Sequence, residues 1–180
     1  SHTSRLDGDG GNPAITTDDV LHVLIAAGVT DTATTIDGFT ISRGFATGGT
    51  ATGMSVNGAT IFDGQGAGIH INGNAGCNVV NCTIEQNAGG LGSSGGGMFI
   101  YQSTPRILNS KVLNNGSSYE SGICNYAASP YIAGCVISGN SSSYGAGIAN
   151  LYAANPVIVN CVISGNKTIS SISGGGGIWN

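Results

Sequence analysis

One sentence of residue types, repeated at short intervals, constrains this chain more than any other feature. Residues 145–166 read GAGIANLYAANPVIVNCVISGN, and the same order occurs at 121–140 (SGICNYAASPYIAGCVISGN) and 95–115 (GGGMFIYQSTPRILNSKVLNN). Aligning the second apolar run of each unit gives the column Ile41, Ile61, Ile84, Val112, Ile137 and Ile163, spaced 20, 23, 28, 25 and 26 residues apart. The Gly-Ile step gives another, Ile69, Met98, Ile123, Ile148 and Ile178. Fixed motifs with variable spacers mark stacked units whose loops absorb insertions, and the period is too short for helix-pair repeats. A leucine-rich repeat needs a leucine ladder, whereas the seven leucines here follow no such period.

Each unit holds two or three apolar runs of three to six residues, separated by Gly, Asn, Ser and Pro. No stretch keeps a helical period over three turns. A coil of ~20–28 residues with two or three short strands closes around a core and stacks on its neighbour at ~4.8 Å. The predicted fold is therefore all-β, a single-stranded right-handed parallel β-helix of about six to seven coils. Residues 1–34 read as an irregular N-terminal edge with a first coil, and 35–180 as the β-helix repeats. The last residues, Gly177-Ile178-Trp179-Asn180, open a new repeat. The expectation is a fragment of a longer rod, or an end that stacks on another copy.

The columns assign roles. Asn87, Asn115, Asn140 and Asn166, and separately Asn125, Asn150 and Asn180, are expected to bond along ladders and to tolerate left-handed backbone. Cys82, Ser110, Cys135 and Cys161 mark a tight inward corner, and Pro105, Pro130 and Pro156 mark strand entries.

These units resemble right-handed parallel β-helix repeat proteins of the pectate-lyase-like superfamily. They are most similar to repeat regions of large bacterial secreted or surface-anchored proteins, including the polymorphic outer-membrane type, and Thr35–Ile41 (TIDGFTI) is similar to that group's opening coil. The resemblance implies export and a surface role. It carries over no catalytic residue, because no lyase or hydrolase motif of the superfamily is matched.

Composition narrows the function. A net charge of −4 with five Lys and Arg leaves no basic stripe for nucleic acid. No apolar run is long enough to span a membrane as a helix. The odd set of five cysteines lacks a Cys-x-x-Cys pair, which disfavours zinc. Free thiols are expected, although Cys135 and Cys161 share a column within disulfide reach.

Candidate sites are sparse. Asp7, Asp9 and Asp18 have part of the spacing of a calcium loop, but Gly11 and Ile15 bring no side-chain oxygen, so a Gly-rich turn is the preferred reading and calcium the only cofactor in view. Arg43 and Asp63 fall in one column as a surface ion pair. Asp37 and Asp63 are the acids to test for polysaccharide cleavage. His70 is expected to point outward, with His22 several coils away. Phe99 and Trp179 form a candidate aromatic patch. The expected function is a non-enzymatic structural module of an extracellular or cell-surface protein, serving adhesion, spacing or self-assembly end to end. The alternative is a carbohydrate-binding or polysaccharide-cleaving β-helix that contacts surface glycans.

Overall fold

Short apolar runs bounded by turn residues cannot bury both faces alone, so they pair with the equivalent run one coil away. The computed structural model describes residues 4–11, 19–47, 53–73, 76–170 and 174–180. Three long parallel sheets result, with two short parallel pairs beside them, Phe45–Ala46 with Ala88–Gly89 and Ser141–Ser142 with Lys167–Thr168. The first contains Leu24–Ala27, Ile69–Asn72, Met98–Tyr101, Ile123–Tyr126, Ile148–Leu151 and Ile178–Trp179. The second contains Thr35–Asp37, Asn78–Val80, Arg106–Leu108, Tyr131–Ala133 and Val157–Val159. The third contains Ser4–Asp7, Phe39–Ser42, Thr83–Glu85, Lys111–Leu113, Val136–Ser138 and Val162–Ser164. Each coil visits the three in that order, and the 5-stranded second sheet counts the complete coils.

The core is three stacked aliphatic columns. Register places Ile69, Met98, Ile123 and Ile148 in line, then Val79, Ile107 and Ile132, then Ile41, Ile84, Val112 and Ile137. All of these are fully buried. Truncating one such side chain to Ala costs ~2–5 kcal/mol, so each rung is a substantial part of a small domain's stability.

Two expectations about register are corrected. Ile41 pairs directly with Ile84, and Ile61 is not in that column. It lies in an antiparallel hairpin, Gly53–Val56 against Ala59–Phe62, inserted into the coil. Asn57 and Gly58 turn the hairpin at φ 48° and 77°, the left-handed pair that an Asn-Gly two-residue turn requires. At the other end, Ser4–Asp7 is not irregular. It pairs with Phe39–Ser42, with Leu6 beneath Ile41 as an inward rung. Four residues are too few to show a period in sequence.

Corners are made by left-handed residues, three to a coil. One corner column is Gly38, Asn81, Asn109, Gly134 and Asn160, and the next is Arg43, Gln86, Asn114, Gly139 and Gly165. Left-handed backbone therefore falls one residue before Asn87, Asn115 and Asn140, not on them. Those asparagines work through their amides. Asn87, Asn115 and Asn140 each donate Nδ2–H to the Oδ1 of the next rung at 2.8–3.0 Å, ending on Asn166. The same Oδ1 atoms accept backbone N–H from the preceding rung at 3.0 Å. The second Nδ2–H bonds the carbonyl of Ile41, Ile84, Val112 or Ile137. Every amide valence of Asn115 and Asn140 is thereby used. The second ladder runs Asn125 to Asn150 to Asn180, at 2.8 and 2.6 Å.

Straps rich in Gly and Ser precede Ile69–Asn72, Met98–Tyr101, Ile123–Tyr126 and Ile148–Leu151 and fold back over their outer face. The row facing outward, His70, Phe99, Cys124 and Ala149, is therefore buried as a second packed layer. The alternation of the strand predicts exposure; the strap removes it.

Candidate functional site

Four places in the fold bring functional groups together. At the N-terminal end, Arg43 follows Phe39–Ser42 in left-handed backbone and reaches across to the strand beneath. Its Nε donates to Asp7 Oδ1 at 2.8 Å and its Nη1 to Asp9 Oδ2 at 2.7 Å, while Nη2 also pairs with Asp7. Burial acts against the Asp7 charge, but the Arg43 hydrogen bond and the Asp9 amide outweigh it and hold the carboxyl below its usual range. Arg43 is thus paired to Asp7 and Asp9, not to Asp63, because the inserted hairpin carries Asp63 out of the column. The guanidinium engages two of the three calcium candidates, Asp7 and Asp9, in charge-assisted bonds, so a divalent ion there would have to displace it. Asp18 lies outside the described residues. Among the described residues no cluster of three or more His, Cys, Asp and Glu groups is arranged for a metal.

The histidines differ from expectation. His70 is fully buried and its ring lies 5.3 Å from that of His22, edge to face. His70 Nδ1 bonds Gln65 O at 2.9 Å and His22 Nδ1 bonds Gly66 O at 3.2 Å, both carbonyls of the strap. A carbonyl can only accept, so Nδ1 carries the proton in each ring. Both Nε2 atoms are left buried without a partner. Burial pushes His70 down to about 4, with the neighbouring His22 adding to the effect. Burial also lowers His22. The pair is neutral at pH 7.

This has a measurable consequence. The unfolded chain binds a proton at His70 below about pH 6.5, while the folded chain resists it down to about 4. Stability is therefore lost as pH falls through that window, by about 3 kcal/mol for His70. Urea unfolding between pH 7 and pH 4 should show this slope, and His70→Phe should flatten it.

The five cysteines are free. Cys135 donates to Ala133 O and Ile107 O at 3.4 Å, and Cys82 and Ser110 repeat that pattern at their own rungs. The column is small because each side chain caps a corner carbonyl. Burial pushes Cys77 and Cys135 up to about 11 and also raises Cys124 well above the usual thiol range, which removes nucleophilic thiolate at neutral pH.

The fourth place was not singled out by sequence. Tyr101 and Tyr126 end adjacent strands of the first sheet in register, and Tyr152 follows the next strand at φ 53°. Their rings form a row, with centroids 5.3 Å apart from Tyr101 to Tyr126 and 4.2 Å from Tyr126 to Tyr152. Phe99, one of the expected aromatics, packs beneath Tyr126 at 6.2 Å. Trp179, the other, stacks on Tyr144 at 5.5 Å, in a separate row with Tyr119. Between the tyrosine row and the strap lies a cleft of about 240 Å³, bordered by Phe99, Tyr119, Glu120, Tyr126 and Tyr152. Glu120 is 5% exposed, and burial raises its carboxyl pKa, against the pull of a Ser94 hydrogen bond. Burial, followed by the adjacent Tyr152 hydroxyl, pushes Tyr126 up to about 12, so its phenol stays protonated. The column spacing that found the core could have found Tyr101 and Tyr126; it could not show that a strap closes a cleft over them.

Asp37 accepts a hydrogen bond from Asn81 at 2.9 Å on the second sheet's exposed edge, away from this cleft.

Stacked parallel sheets, a laddered interior and strand-poor straps define a right-handed parallel β-helix solenoid. The family model for the right-handed β-helix region matches residues 25–180, and the chain belongs to that family. Neither the curated proteins nor the solved structures provide a match to it.

Proposed function

We propose that the chain is a non-enzymatic structural module of an extracellular or cell-surface protein, a rigid rod segment for adhesion, spacing and end-to-end assembly. The observation that carries this reading is the continuous asparagine ladder. It ties each coil to the next by side chain and main chain alike, so that stiffness accumulates along one axis. The similarity of the repeats to surface-anchored proteins supports the location.

Assembly is supported by the last coil. Val157, Val162 and Ile178 are exposed there, on strands that end their sheets. A cavity of about 570 Å³ opens on Ile158 and Ile178. Such an edge is a template for a further parallel coil, whether continued by the same chain or supplied by a second copy. Sedimentation velocity tests this: the sedimentation coefficient should rise with concentration, and Ile178→Lys, which places a charge in the inward column of the last coil, should return the protein to a monomer. A concentration-independent monomer in the unsubstituted chain would refute assembly.

A further inference from the structure

We propose that the cleft between Tyr119 and the Tyr126–Tyr152 pair binds a small organic cation, an alkylammonium head group. Three independent features point to a small cation. Glu120 lines the cleft while almost wholly buried, its carboxyl hydrogen-bonded by Ser94, and among the described residues no cationic side chain forms an ion pair with it. A buried carboxylate without a counter-charge is costly, and a bound cation would supply one. The walls are aromatic: Phe99, Tyr119, Tyr126 and Tyr152 line the same space. Ring faces carry negative potential and hold alkylated ammonium groups, whose weak hydration makes them cheap to transfer from water. Size is the third. About 240 Å³ lies below the range for drug-sized ligands and fits a head group.

The cleft is also preorganised. The Glu120 carbonyl accepts Gly95 N–H at 2.5 Å and the Ser117 hydroxyl, which fixes the strap on which the carboxyl sits. Tyr126 is held by its strand, and Tyr152 is stacked on it at 4.2 Å. The site thus stands on the rigid solenoid, and it does not depend on the rod assembling.

The same chemistry is offered by free choline-type molecules, by methylated lysine side chains and by phosphocholine lipids. Calorimetric titration with choline should give a Kd on the order of 1 mM or tighter. The uncharged isostere with carbon in place of the quaternary nitrogen should bind at least about tenfold more weakly. Tyr152→Ala, at an exposed position, should weaken choline about fivefold or more, and Glu120→Gln about tenfold. A trimethyl-lysine peptide and phosphatidylcholine vesicles, titrated in parallel, distinguish a protein source from a membrane source. Equal binding of the isostere, preferential binding of a neutral oligosaccharide, or no choline binding by the folded protein would overturn the proposal. Should Glu120→Gln disturb the fold by circular dichroism, the isostere comparison and Tyr152→Ala still decide it.

Discussion

Asn140→Ala should destabilise the protein by about 4 kcal/mol, more than the loss of any ordinary surface amide. Asn140 is fully buried and its amide makes four hydrogen bonds. Its Oδ1 accepts the Asn115 backbone N–H and the Asn115 Nδ2–H, both at 3.0 Å. Its Nδ2 donates to Val112 O at 3.0 Å and to Asn166 Oδ1 at 2.8 Å. Alanine removes every one of these bonds and orphans groups on the two flanking coils, each at about 1–3 kcal/mol if it stays dry. Part of this is recovered by water at the half-buried Asn166, which is why the sum is set near the low end. Chemical denaturation measures the loss directly. Asn180→Ala, at the exposed end of the other ladder, removes one bond with Asn150 and should cost less than about 1 kcal/mol. If the two substitutions cost the same, the ladder is not a cooperative element.

The ladder also explains why so much of the fold was legible. A solenoid imposes one environment on each column, so residues with the same role recur at nearly constant spacing: Ile123 and Ile148, Asn115 and Asn140, Cys135 and Cys161. What interrupts the repeat was not legible. The hairpin around Asn57-Gly58 has its own apolar alternation, and Ile61 fell by chance at a coil-like interval. The Asn-Gly pair between the two short runs was the available signal. His70 and Glu120 were misplaced or missed for a different reason. Burial on the outer face of the first sheet comes from straps made of Gly and Ser, which have no hydrophobic pattern to read. The cleft depends on that same covering, so a site built from outward residues was visible only once the straps were in place.

Those straps lead to the second large effect: Gly122→Val should cost at least about 4 kcal/mol and prevent stacking of the coil above it. Gly122 does not have a left-handed φ, so the reason is space. A Cβ there would stand 2.3 Å from Gly147 O, 3.1 Å from Asn140 Nδ2 and 3.2 Å from Ala146 O. Two of these are backbone of the next coil and the third is a rung of the ladder. None can give way without loss: Gly122 N–H bonds Ala146 O and Ile123 N–H bonds Gly147 O, both at 2.9 Å. Equivalent glycines stand at Gly68, Gly97 and Gly147, each with a carbonyl of the next coil 2.3–2.5 Å from the missing Cβ. The column is therefore glycine because main chain meets main chain there. Gly116→Ala is the matched control, with nothing closer than 4.0 Å to its added Cβ, and should change stability by less than about 1 kcal/mol. Comparing the two by thermal and urea unfolding separates coil contact from glycine's backbone entropy. A Gly122 variant as stable as the Gly116 variant would mean that the straps yield, and that the layer over His70, Phe99 and the cleft is softer than its hydrogen bonds imply.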